Sequence, residues 1–536
     1  MEGARDVEHT TADIEQAVLA DLRAADALDD VDQPARQAFF RFDHLADVDV
    51  ERWYWLRAPF AWTAVCRDPE TGEQLYLFTE PALNEFERFA RRDLTVVVRD
   101  ELLDEPVTDD RPTAFERRLD DVLATHHADM STASLAKLRY YLRRDFLRFG
   151  SIDAPMHDPA VEDISCDGTD VPLFVYHAEY GHLRTDRQFS ADELDSLAIR
   201  LAQRCGRHVS ASEPLMTDTL PDGSRVQLTL GSDVAVRGSN FTVRKFATEP
   251  FTPLRLARTG TLSLAQLAYL WLCVAHSRSV LFVGPTAAGK TTSMNATALF
   301  IPPDHKTVSI ERTREVQLPH DNWIANVTRE TSPADEGGIS VYELLSEALH
   351  QRPDHVVVGE LRTDPRVANG FFQAMGTGHA GFTTFHAESA GDALRRLRHE
   401  PLAVAEELLT DLDVVVQAQV RVDGERVRRC RQLCEVQAGD DGTATLRPVF
   451  EYDPYDDRIE QTAPARVPRA VATDAGWTDE RLRADLARRI RFLAGLLAAD
   501  IKGYDAVTDR LFRFARDPDR ALAAVEPDRP LPTVEV

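Results

Sequence analysis

The period of the apolar positions changes several times along the chain, and each change marks an element. Arg52-Trp-Tyr-Trp-Leu56, Trp62-Thr-Ala-Val-Cys66 and Gln74-Leu-Tyr-Leu-Phe78 read as short strands, with Asp68-Pro-Glu-Thr-Gly72 turning between the last two. Residues 81–92 follow as a helix. Over 113–149 the spacing is helical again, with Leu135, Leu138, Tyr141 and Leu142 on one face. Strands are predicted at 161–165, 173–176, 226–230 and 241–244, with a helix at 191–205. Pro250 to Pro253 punctuates the chain as a linker. Beyond it strands and helices alternate to about residue 435, the signature of an α/β core. A hairpin from Asp413 turns on Asp423-Gly424, and an Arg-rich amphipathic helix spans 480–500.

Five segments follow from this pattern. Residues 1–44 are acidic and helical in pattern, with few apolar positions beyond Ile14, Val18, Leu19 and Leu22, and are expected to form a mobile arm. Residues 45–149 are an α+β and helical extension, 150–253 a small α+β domain, 254–435 the α/β core, and 436–536 C-terminal strands and helices. No internal repeat is evident.

Charge changes the picture of the surface. The 536 residues hold 89 acidic and 62 basic side chains, a net charge of −27. Only five of the basic residues are lysines: Lys137, Lys245, Lys290, Lys306 and Lys502. The acid is spread along the whole chain, as in proteins of salt-in halophilic archaea, where high salt screens self-repulsion. Such a surface argues against nucleic acid as a bulk partner, which needs basic groups to displace counterions. No apolar stretch is long enough to span a membrane, and the N-terminus carries no signal-peptide pattern. The cysteines are scattered, with only Cys430 and Cys434 close, so no structural zinc is expected and a cytosolic compartment is implied.

The candidate chemistry centres on Gly284-Pro285-Thr286-Ala287-Ala288-Gly289-Lys290-Thr291, which fits the phosphate-binding pattern G-x-x-x-x-G-K-[ST]. An apolar strand enters it (Val280-Leu-Phe-Val283), and a helix-like segment with Thr292 near its start leaves it. The glycines let backbone N–H groups curl around phosphate oxygens, and the helix N-terminus adds partial positive charge. Lys290 would reach the β- and γ-phosphates of ATP, and the Thr291 hydroxyl would bind Mg²⁺.

Two later strands each end in an acid: Val308-Ser-Ile-Glu311, and His355-Val-Val-Val-Gly359-Glu360. In parallel α/β sheets ligands lie outside the carboxyl ends of the strands, so acids there stand where Mg²⁺ and an attacking water would be. A fourth element, Gly376-Thr-Gly-His379-Ala-Gly-Phe-Thr-Thr-Phe-His386, places His386 at another strand end.

These four segments together resemble the motifs of the secretion-superfamily traffic ATPases, which power type II and IV secretion, type IV pili and the archaellum. The resemblance covers roughly residues 150–435 and extends upstream to Asp158-Pro-Ala-Val-Glu-Asp163, Leu220-Pro-Asp-Gly-Ser-Arg225 and Phe241-Thr-Val-Arg244. It implies a RecA-like P-loop core preceded by a smaller N-domain that closes on the nucleotide. It also implies a hexameric ring, Mg²⁺-dependent ATP hydrolysis, and a polytopic membrane platform protein as partner at the inner face of the membrane. By position, Glu311 is implied as general base, Glu360 as the acid ordering Mg²⁺, and His386 as phosphate sensor with His379 beside it. Arg225, Arg244, Arg352 and Arg362 are candidates for neutralising transition-state charge. Two departures stand out. Arg312 follows Glu311 where the family has an acid, and the tetracysteine module of many bacterial members is absent. A DNA-translocating motor, or a nucleotide-gated scaffold with little turnover, are the alternative readings.

Overall fold

The computed structural model describes residues 10–24, 38–103, 111–126, 130–246, 249–329, 337–423, 425–525 and 532–536. The chain forms two compact units, Met1–Phe246 and Ala247–Val536.

The first unit is built on a nine-stranded sheet in the order β1-β2-β3-β6-β5-β4-β9-β8-β7. Its strands are β1 (Asp49–Arg57), β2 (Ala61–Arg67), β3 (Gln74–Thr79), β4 (Val161–Cys166), β5 (Leu173–His177), β6 (Gly181–Arg184), β7 (Leu215–Thr219), β8 (Arg225–Thr229) and β9 (Asn240–Arg244). The segments read as 45–149 and 150–253 therefore share one sheet. The join is the short strand β6, where Arg184 pairs with Leu75 of β3. Helices Glu85–Leu103, Arg111–His126 and Thr132–Leu147 enclose a satellite core around Leu94, Phe115, Leu119 and Leu138.

The N-terminal segment differs from the mobile arm expected of it. Thr11–Ala24 is a helix whose Ile14, Val18 and Leu22 are fully buried against Phe39, Phe40, Leu45 and Trp62. Its few apolar residues fall on one helical stripe, which is enough to dock it. Residues 1–9 and 25–37 lie outside the described residues, as does Gly424 of the anticipated Asp-Gly turn.

The second unit carries the expected α/β core, in a sheet ordered β12-β11-β13-β14-β10-β15-β16-β17-β18. Six strands run parallel: β10 (Val280–Gly284), β11 (Thr307–Glu311), β12 (Trp323–Val327), β13 (His355–Leu361), β14 (Ala380–His386) and β15 (Val414–Asp423). Then β16 (Glu425–Ala438), β17 (Ala444–Asp453) and β18 (Arg458–Gln461) continue it antiparallel. Successive side chains of a strand face opposite sides, so β10 feeds two cores. Val280 and Phe282 enter one, Leu281 and Val283 the other. Burial on both faces explains why β10 is continuously apolar.

The last hundred residues complete the first of those cores. Helix Asp479–Ala498 packs Leu486, Ile490 and Leu493 beside the buried helix Leu264–Ala275. Trp271 stacks on Phe300 at 5.0 Å and meets Phe514 at 4.6 Å. Among the described residues, no helix is long and apolar enough to cross a membrane.

Candidate functional site

Register alone brings four sequence motifs to one edge of the second sheet. Gly284 at the end of β10 pairs with His386 at the end of β14. Phe385 of β14 faces Leu361 of β13, and Val358 of β13 faces Ile310 of β11. Lys290, Glu311, Glu360 and His386 thus sit at or just beyond the carboxyl ends of neighbouring parallel strands.

The loop after β10 has the backbone that phosphate binding requires. Ala287 and Gly289 adopt positive φ of 60° and 86°, and Gly289 is the left-handed N-cap of helix Lys290–Ala298. Gly284 is demanded by space: a Cβ there would lie 2.6 Å from the carbonyl oxygen of Ala418 on β15. The Lys290 ammonium donates to the Pro285 carbonyl at 2.8 Å, and the Ala288 N–H points to the same oxygen at 3.4 Å. Two of the loop's donors therefore converge on one acceptor, as they would on a phosphate oxygen. Thr291 and Thr292 open the helix, both half-buried.

Glu311 is 4 % exposed. Its Oε1 accepts from the backbone N–H groups of Glu315 and Val316, each at 2.9 Å, while Oε2 is buried without a hydrogen bond. Burial pushes its carboxyl up to about 7, partly opposed by those two N–H donors. A carboxylate titrating near neutrality is suited to taking and returning a proton.

Glu360 is held from two sides. Arg362 Nε donates to its Oε2 at 2.6 Å, and His386 Nε2 lies 3.4 Å from its Oε1. Burial and the nearby charge of Lys290 lower the pKa of His386, which favours the neutral imidazole. Thr291 and Glu360 offer the hard oxygen donors that Mg²⁺ takes, a metal that usually draws its remaining ligands from phosphate and water. Among the described residues no group of three or more His, Cys, Asp and Glu converges as a metal cage.

Two expectations need correction. His379 is not beside His386: it precedes β14 at the opposite edge of the sheet, about 20 Å away at strand rise. There its ring bonds the Ala374 carbonyl and the Thr377 hydroxyl, closing helix Pro365–Gly376. Arg352 likewise lies before the amino end of β13, in a left-handed turn with φ 52°. His379 shares a motif with His386 yet sits a full strand length from it, and Arg352 and Glu360 lie toward opposite ends of β13.

Arg225 and Arg244 belong to the first unit, directly opposite each other on β8 and β9. Arg244 also faces Asp163 of β4. One residue at the site escaped the sequence reading. Arg428 on β16 donates from Nε to the Ala287 carbonyl at 3.2 Å. Its only signal is an arginine-rich strand following the core, which reads equally well as solvated surface.

Fold and site together define a P-loop protein of the parallel α/β class. The chain belongs to the type II/IV secretion system protein family, whose profile matches residues 175–470. It is 36% identical over 388 residues to an uncharacterized protein of Methanocaldococcus jannaschii, covering 70% of this chain and 69% of that one. It is 32% identical to the type IV secretion system protein PtlH of Bordetella pertussis, over 38% of this chain and 67% of that protein. Among solved structures it is similar to the ATPase DotB of Legionella pneumophila, at 16% identity and a TM-score of 0.39, covering 70% of this chain and 95% of that one.

Proposed function

We propose that this protein is a Mg²⁺-dependent ATPase working as a ring motor, most simply a hexamer, that drives assembly or secretion through a polytopic membrane platform protein. The reading rests above all on one observation: the loop 284–291 shares a sheet edge with a buried carboxylate, Glu311, which burial pushes up to about 7. Lys290 neutralises the β- and γ-phosphates, and the loop's N–H groups orient them. Thr291 and Glu360 hold Mg²⁺, which draws charge from the phosphate oxygens when bound. Glu311 accepts the proton of the attacking water, and His386, neutral, donates a hydrogen bond toward the γ-phosphate.

Arg225 and Arg244 complete the charge neutralisation when the segment 150–253, as the N-domain, closes on the nucleotide. Hydrolysis then moves rigid bodies rather than reshaping the core. The appendage or system served is of the archaeal pilus, archaellum or type II/IV secretion kind. The work is done at the cytoplasmic face of the membrane, with peripheral attachment. The acidic surface suits an ionic strength high enough to screen it.

Phosphate release by the purified protein in molar KCl, with and without Mg²⁺, tests this reading. Mg²⁺-dependent turnover together with a nucleotide-stabilised ring supports it. Nucleotide binding without turnover would instead favour a nucleotide-gated scaffold.

A further inference from the structure

Arg428 touches the phosphate-binding loop from a strand that none of the four motifs contains. On β15 and β16 it pairs with Val420, beside the strand that delivers the loop. Alternation along β16 separates it from Arg429, which is spent elsewhere: that side chain bonds Asp457 through Nε and Nη2, each at 2.9 Å, and the Thr259 carbonyl at 2.8 Å. Arg428 turns the other way. Its Nε donates to the Ala287 carbonyl, and its Cδ would lie 3.3 Å from a Cβ at Gly289.

A planar trans peptide points its carbonyl and its N–H in opposite directions. The carbonyl that Arg428 holds belongs to the same peptide unit as the Ala288 N–H. Drawing that carbonyl outward therefore turns the N–H inward, toward the Pro285 oxygen on which Lys290 also converges. Ala287 is not a glycine, and its left-handed conformation with φ 60° carries a cost that some contact must offset. A charge-assisted hydrogen bond to its carbonyl is such a contact.

We propose that Arg428 is a positioning residue of the nucleotide site, fixing the 287–288 peptide so that the Ala288 N–H faces the phosphates of a bound nucleoside di- or triphosphate. The guanidinium also adds positive charge beside that anion. Without it the peptide is free to rotate, and a carbonyl dipole turned toward phosphate repels where the N–H attracted. The effect falls on nucleotide affinity rather than on the chemical step. This rests on the reading of the loop as the ATP phosphate site.

The test is equilibrium binding of a fluorescent ADP analogue with Mg²⁺ to the full chain in molar KCl, alongside steady-state ATP turnover. Arg428→Ala should weaken binding about tenfold or more and raise KM similarly, with kcat within about threefold of wild type. Arg428→Lys keeps a charged N–H donor able to reach the carbonyl and should recover most of the affinity. Should Arg428→Ala fail to fold, Arg428→Met, which keeps the aliphatic stem but has no donor, carries the same expectation. Binding by the Ala or Met variant within about twofold of wild type, while Lys290→Ala has lost it, would overturn the proposal. Wild-type binding by Lys290→Ala would instead overturn the reading of the loop.

Discussion

Glu311 occupies the space that a side chain at Gly359 would need. A Cβ at that position would lie 3.2 Å from Glu311 Cγ and 3.6 Å from its Oε1. Gly359 has no positive φ, so room rather than backbone freedom accounts for it. Gly359→Ala should push the Glu311 carboxylate off its two backbone donors. Turnover is expected to fall about tenfold, with nucleotide affinity unchanged. An unaltered kcat in steady-state assays would mean that the placement of Glu311 is unimportant.

Glu311→Gln should bind ATP normally and hydrolyse it at least ~100-fold more slowly, as expected on losing a general base. Single-turnover measurements separate the two effects. If Glu315→Gln were inactive while Glu311→Gln turned over, the base would be the other acid of that segment.

The same carboxyl makes stability depend on pH. Its value is raised from an ordinary 4.5 to about 7 by burial. Between those values the folded protein keeps a proton that the unfolded chain has released. The stability it confers is therefore complete below the unfolded value and is lost as pH rises through about 7. Glu311→Gln is always neutral and escapes that loss. Thermal melts should show wild type and variant alike at about pH 5 and the variant more stable at about pH 8. A variant less stable at both would contradict the assigned titration.

The core and the strand ends gathered at one edge were legible because strands buried on both faces are written as largely apolar runs, and four of them end at or beside Gly284, Glu311, Glu360 and His386. What the sequence concealed was non-local. Arg184 pairing with Leu75 joins two segments over a hundred positions apart, and β6 is too short to announce itself. His379 shared a motif with His386, yet strand length carries it to the far edge, and β13 likewise separates Arg352 from Glu360. Arg428 reaches the loop only because β15 and β16 fold back beside β10.

The docking of helix Thr11–Ala24, a segment whose pattern already read as helical, was missed for a different reason: three buried residues in an acidic segment look like too few. Val18→Asp places a charge where Val18 is fully buried. It should destabilise the first unit by several kcal/mol, seen as a lowered melting transition, while the second unit still binds nucleotide. An unchanged melt would show that this helix is dispensable.

Assembly should follow salt. With −27 charges per chain, subunits repel as the screening length grows from about 3 Å at 1 M to about 10 Å at 0.1 M. Light scattering with Mg²⁺ and a non-hydrolysable ATP analogue should show a ring in molar KCl that dissociates on dilution of the salt. A particle monomeric throughout would remove the ring from the account.

Whether the loop ending in Lys290 binds ATP for hydrolysis is read most directly from ATP turnover by Lys290→Ala beside wild type in molar KCl. Wild type should show Mg²⁺-dependent turnover and the variant none, with its nucleotide binding also weakened. Turnover by the variant within about threefold of wild type would contradict that role for the loop.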